Sequence, residues 1–127
     1  MKVGRELDAL IAEKVMGKEV MWRHITEKQT HTDGINEVCE WSALMADEWE
    51  CPHYSTDIRA AWEVLNKLQS SGVEYTIFNF FDKSSYRHEY IVRIHFGNHQ
   101  IYNAQADTVA HAICLVALEF KEKSNDK

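Results

Sequence analysis

Seven histidines and three cysteines are the side chains best equipped for chemistry in this chain. His24, His31, Cys39, Cys51 and His53 fall in or beside one stretch, which invites a metal reading. Structural zinc wants tight ligand pairs such as Cys-x-x-Cys or His-x-x-x-His. That stretch has none, and Cys51-Pro52-His53 is poorly spaced for two ligands of one ion. No metal site and no cofactor are therefore expected. Catalytic signatures are equally thin: the chain lacks a Gly-x-Ser-x-Gly elbow, a P-loop, a His-Glu-x-x-His helix and a Gly-x-Gly-x-x-Gly turn. Cys51, His53 and Asp57 could be assembled into a Cys–His–Asp triad, but only their nearness in sequence suggests it. The acidic run Asp47, Glu48, Glu50 reads as a solvated surface. The expectation is a binding protein and not an enzyme.

Binding has more material. Ser55-Thr56-Asp57 is a cluster of helix-capping residues, and a helix N-terminus offers backbone N–H groups and a positive dipole end to a phosphate. Thr56 lies at that end and Arg59 one turn in, where a guanidinium could clamp an anion in bidentate fashion. A second helix start at Thr108 has His111 in its first turn. Phe80 and Phe81 offer rings for stacking a base, and Arg93, His95 and Asn98 supply polar contacts at one end of a strand meander. Together these suit a nucleotide-like ligand. Each also has an ordinary structural reading, as a cap, a core ring or one half of a surface ion pair.

The totals set limits. A formal charge of −6 argues against binding DNA, which needs many phosphate-neutralising cations, but not against a small anion held by two or three focused ones. An odd cysteine count without paired spacing fits a reducing cytoplasm. The charged first segment is unlike a signal peptide, and no apolar run is long enough to span a bilayer, so no membrane partner is expected. At 127 residues, 45% apolar, the chain suits one domain with a core of its own.

The elements that must position these residues follow from periodicity. Leu7, Leu10, Ile11 and Val15 predict an amphipathic helix over Arg5 to Met16, with Glu6, Asp8, Glu13 and Lys14 on its charged face and Gly17 as its stop. Residues 18–54 form an irregular insert. Within it Glu19–Ile25 and Ile35–Trp41 read as short strands joined by a Thr32-Asp33-Gly34 turn, while 42–52 reads as loop or a single helical turn. Ile58, Ala61, Trp62, Leu65 and Leu68 define a helix of about four turns that ends at Ser70-Ser71-Gly72. Strands follow over Val73–Phe81, His88–Phe96 and His99–Ala106, then a last helix from Asp107-Thr108 through Phe120 and a polar, frayed tail over 121–127. Short connections in the meander imply an antiparallel sheet. The fold class is α+β: a single α-β-α sandwich domain with helices packed on both sheet faces.

Three blocks sharpen the reading. Glu6–Gly17 (ELDALIAEKVMG), Pro52–Leu68 (PHYSTDIRAAWEVLNKL) and Ala112–Leu118 (AICLVAL) resemble, in the same order, the phage ABA sandwich family. The resemblance implies an α-β-α sandwich. It also implies kinship with phage anti-defence proteins that act as sponges against the Thoeris system. Those proteins sequester, without cleaving it, a cyclic ADP-ribose isomer made by bacterial TIR-domain enzymes, and some also hold cyclic trinucleotides. They assemble as dimers or higher homo-oligomers with ligand at subunit boundaries. On that resemblance Arg59, inside the matching PHYSTDI-x-x-AWEV block, is a phosphate contact, and His111, just before AICLVAL, faces the same pocket. The implied setting is the cytoplasm of an infected bacterial host. The alternative expectation is a protein-binding phage module that inhibits a host or defence factor, using the acidic surface and Trp22, Trp41 and Trp49 of the insert.

Overall fold

The computed structural model describes residues 1–30, 34, 36–97 and 100–124. Its elements are α1 (Arg5–Leu10), β1 (Val20–Thr30), β2 (Asn36–Ala46), β3 (Trp49–Glu50), α2 (Ile58–Ser70), β4 (Glu74–Asp82), β5 (Arg87–Phe96), β6 (Gln100–Ala106) and α3 (Val109–Ser124). Strands β1-β2-β3 and β4-β5-β6 make two antiparallel three-stranded sheets. The α+β class and the meander are as expected.

Helix α1 widens into a π-helical stretch, Ile11–Val15, where the Met16 N–H reaches back to the Ile11 carbonyl at 3.0 Å. Gly17 then takes φ 70°, a left-handed conformation that suits glycine and ends the helix. Of the predicted stripe, Leu7, Ile11 and Val15 are buried, joined by Ala12, whereas Leu10 is only half-buried. Asp8 is the correction: it lies not on the charged face but in the core, 1% exposed.

The segment read as an irregular insert is largely regular. Strands β1 and β2 pair from Val20↔Ala46 to Thr30↔Asn36. Ser42–Ala46 extends β2, Asp47 turns the chain with φ 58°, and the Asp47 carboxylate accepts the Glu19 N–H at 2.9 Å. Ser-Ala-Leu-Met-Ala has weak strand preference, so pairing with the β-prone Val20–Ile25 decides its conformation. Of the expected turn, Thr32 and Asp33 lie outside the described residues.

Asp57 is the cap of α2, its carboxylate accepting the Arg59 N–H at 3.0 Å. The buried stripe of α2 is Ala60, Ala61, Val64, Leu65 and Leu68, whereas Ile58 and Trp62 stay exposed on its flank. Helix α3 is capped by Thr108, whose Oγ1 accepts the His111 N–H at 3.2 Å. It runs past the expected fray point through Ser124, with Lys123 donating to Glu119 at 2.8 Å one turn back. Ala112–Cys114 and Val116–Leu118 are buried, because α3 packs against the π-helical stretch, α2 and the second sheet together.

Side chains of β4–β6 alternate across that second sheet. Tyr75, Ile94 and Tyr102 stand abreast on one face, as do Ile77, Val92 and Ala104. Both helices meet this face: Trp62 of α2 sits edge-on to Tyr75 at 5.9 Å, and Phe120 of α3 lies 5.3 Å from Phe96 and 5.7 Å from Tyr102. Coverage of both sheet faces was expected. The helices instead share one face, because α3 needs apolar neighbours all round and finds them between the sheet and the other helices. The opposite face of β4–β6 is left open.

Candidate functional site

The open face carries the most suggestive grouping. Phe78 and Phe80 project from β4 with 40% and 38% of their surface exposed, and Ile101 from β6 with 55%. Arg93, on β5, is in register with Thr76 and Asn103, one step diagonal to the Phe78↔Ile91 pair. Its Nε donates to Asn103 Oδ1 at 2.7 Å, and the guanidinium carbon lies 5.1 Å from the centre of the Phe78 ring. Those two contacts fix the plane of the guanidinium. Its terminal nitrogens have no partner among the described residues and remain available to an anion. An ordinary soluble sheet would place polar side chains here. This one keeps polar neighbours, with Thr76 and Asn103 beside Arg93 and Glu89 opposite Phe80, but adds two phenyl rings next to an oriented cation, a grouping suited to stacking a planar ring and holding a negative charge at the Arg93 end.

The other anticipated binding residues are dispersed. Arg59 and Thr56 are exposed at the start of α2, on the helix side of the sheet, where Ile58, Arg59 and Trp62 line a shallow hollow of about 310 Å³. The Asp57 carboxylate caps that helix end, and the Thr56 N–H donates to the His53 carbonyl at 3.2 Å. A phosphate there would share the helix end with a carboxylate, leaving Arg59 as the attractive group. Phe81 points to the opposite face from Phe80 and packs with Tyr86 at 6.3 Å and His88 at 5.3 Å, so the two rings cannot form one stack. His111 Nε2 is 2.7 Å from the Met1 carbonyl, at the edge of a hollow shared with Lys2, Val3 and Asp107. Asn98 lies outside the described residues. One face thus unites Phe80 and Arg93, and it adds Phe78 and Asn103. The alternation of β4 could have identified Phe78, since it shares the parity of Phe80; Asn103 required the strand register.

The Cys51, His53, Asp57 grouping does not form. Cys51 is buried, its Sγ lies 3.5 Å from the Pro52 carbonyl, and burial pushes its thiol pKa up, which suppresses the nucleophilic thiolate. Asp57 is engaged in its cap, and His53 Nδ1 lies 4.0 Å from Asp8 instead. No three His, Cys, Asp or Glu side chains converge on a possible ion among the described residues.

What forms around Asp8 is a junction. Its Oδ2 accepts from Arg5 Nη1 at 3.0 Å and its Oδ1 from the Ser55 N–H at 2.8 Å, while Ser55 Oγ accepts the Gly4 N–H at 3.0 Å. Arg5 Nη2 also donates to the Cys51 carbonyl at 2.9 Å and approaches Glu50 at 3.5 Å. The start of α1 is thereby fastened to the segment that leads into α2. Beside it, hollows of about 330 and 290 Å³ flank Arg5 and the exposed Trp22 between α1 and the first sheet. No helix among the described residues is long and apolar enough to cross a membrane.

Comparison with curated proteins finds no match. The family model of the phage ABA sandwich domain matches residues 9–118. That span takes in the π-helical turn, both sheets, α2 and most of α3, and on it the chain belongs to the phage ABA sandwich domain family.

Proposed function

We propose that this protein binds and sequesters a cyclic ADP-ribose-type signalling nucleotide without cleaving it, as a homo-oligomer acting in the cytoplasm of an infected bacterium. The observation that carries the reading is the open sheet face, where Phe78 and Phe80 stand exposed beside an Arg93 oriented by Asn103. An adenine ring stacks on a phenyl ring, and a phosphate pairs with the free edge of the guanidinium. The resemblance of its sequence blocks to sponge-type members of the family supports the choice of ligand. Arg59 and Trp62 lie on the other side of the sheet, so a ligand touching both groups must bridge two copies. Burial between copies would also supply affinity without any catalytic group.

The test is calorimetric titration with cyclic ADP-ribose isomers and cyclic trinucleotides, followed by recovery of the ligand after heating. Tight binding and intact recovered ligand are expected. Arg93→Ala removes a charge-assisted contact of about 1.5–3 kcal/mol, or roughly 10- to 150-fold in Kd. Absence of binding to every cyclic nucleotide, or conversion of the ligand with time, refutes the proposal.

A further inference from the structure

Helix α1 has a second working face. Leu7, Ile11 and Val15 point into the core, while Glu6, Ala9, Leu10 and Glu13 follow the spacing of one helical stripe and line the 330 Å³ groove whose far wall is Trp22. Ala9, Leu10 and Met1 give it an apolar floor, and the Trp22 ring is 56% exposed. Both Glu6 and Glu13 are exposed, and neither pairs with a cation among the described residues. The one cationic side chain lining the groove, Arg5, is spent on Asp8, Glu50 and two carbonyl oxygens, and Met1 brings the α-amino group to the same lining. The result is an apolar trough flanked by two carboxylates that no cation among the described residues pairs.

We propose that this groove docks a basic amphipathic helix of a partner protein. Glu6 and Glu13 are seven residues apart, on the order of 10 Å along the axis. A helix lying along α1 complements them with two cations seven positions apart and two apolar residues between, at the third and fourth positions after the first cation. The apolar pair packs on Ala9 and Leu10, and Trp22 closes the side of the trough, with cation–π attraction available to a lysine or arginine crossing its ring. A second copy of this chain is a poor occupant. Its own α1 would set Glu6 and Glu13 against their equivalents, and it carries the same charge of −6. The inference is independent of the nucleotide reading, since it uses no residue of the open sheet face.

The experiment uses a fluorescein-labelled 14-residue Leu/Lys amphipathic peptide and its Leu/Glu counterpart, with binding to the whole protein followed by fluorescence anisotropy. The wild type should bind the lysine peptide and not the glutamate peptide. In Glu6→Lys/Glu13→Lys two attractions become two repulsions, so the lysine peptide should weaken by at least about tenfold and the preference should reverse. The control Glu48→Lys/Glu63→Lys changes net charge equally at exposed positions outside both the groove and the open sheet face and should stay within about twofold of wild type. Glu6→Gln/Glu13→Gln keeps shape without charge and should fall between, and Trp22→Ala should also weaken binding. Equal loss in the control and groove variants would show general charge attraction and overturn the proposal, as would no binding by the wild type. Capture of the lysine peptide at the open sheet face, read as loss in Phe80→Ala with binding retained in the groove variants, would overturn it too.

Discussion

Replacing Asp8 by Asn tests whether the Arg5–Asp8–Ser55 junction holds α1 in place. The carboxylate is 1% exposed and receives two hydrogen bonds, one from a guanidinium and one from the backbone N–H of a residue 47 positions away. Removing one partner of a buried ion pair costs about 3–5 kcal/mol when the survivor has no other recourse. Arg5 has some recourse: its side chain is 25% exposed and it keeps its bond to the Cys51 carbonyl. The Asn oxygen can still accept from Ser55, but its amide then turns a donor toward another donor. The expected cost is therefore about 2–3 kcal/mol. With the unfolding entropy usual for a domain of this size, that lowers Tm by roughly 7–11 °C. Thermal unfolding followed by circular dichroism reads the shift, and Arg5→Gln alone and in combination completes a double-mutant cycle. Strong coupling between the two substitutions is expected. A fall of less than about 2 °C, or simple additivity, would refute the reasoning that the junction is a coupled unit.

Two further outcomes follow from burial. The Cys114 thiol is pushed up to about 12 from its ordinary 9.0, chiefly by burial, so between those values the unfolded chain releases a proton that the folded one keeps, and stability falls as pH rises through that window. Cys114→Ala should flatten the decline of Tm above pH 9, although the small cavity lowers Tm at neutral pH; an unchanged slope contradicts the assignment. Phe120→Ala, which empties the contact with Phe96 and Tyr102, should cost about 3–5 kcal/mol, whereas Phe80→Ala, with its ring 38% exposed, should cost only about 1–2 kcal/mol while weakening nucleotide binding. Chemical denaturation of both variants decides it, and a large loss for Phe80→Ala would mean that its ring holds the fold and not a ligand.

The stretches with one strong period were legible without a structure. Leu65 and Leu68 with the Asp57 cap, Ile94 and Val92 alternating with Arg93, and the Thr108 cap before Ala112–Phe120 located α2, β5 and the start of α3 nearly to the residue, because local spacing alone decides which side chains can share a face; the polar last turn of α3, through Ser124, lay past the expected end. Ser42–Ala46 was not legible, since its own preference is weak and the paired residues of β1, Val20–His24, impose its conformation. Asp8 was misplaced for a related reason: its type suggests solvent, and its burial is tolerable only because Ser55, brought from a distant segment, joins Arg5 of the preceding turn in satisfying it.

The candidate sites divide along the same line. Sequence supplied the kinds of side chain that could bind a ligand: Arg59 beside a helix cap, Phe80 and Arg93 on neighbouring strands, and a tryptophan-bearing hairpin. Which of them share a surface was decided only by the tertiary structure. Strand register set Phe78, Phe80, Arg93 and Asn103 on one face and turned Phe81 to the other, and the packing of both helices against the opposite face left theirs uncovered. A sequence fixes the parity of a strand from its own alternation. Which parity meets solvent depends on where the helices find their apolar contacts, and that is a property of the whole chain.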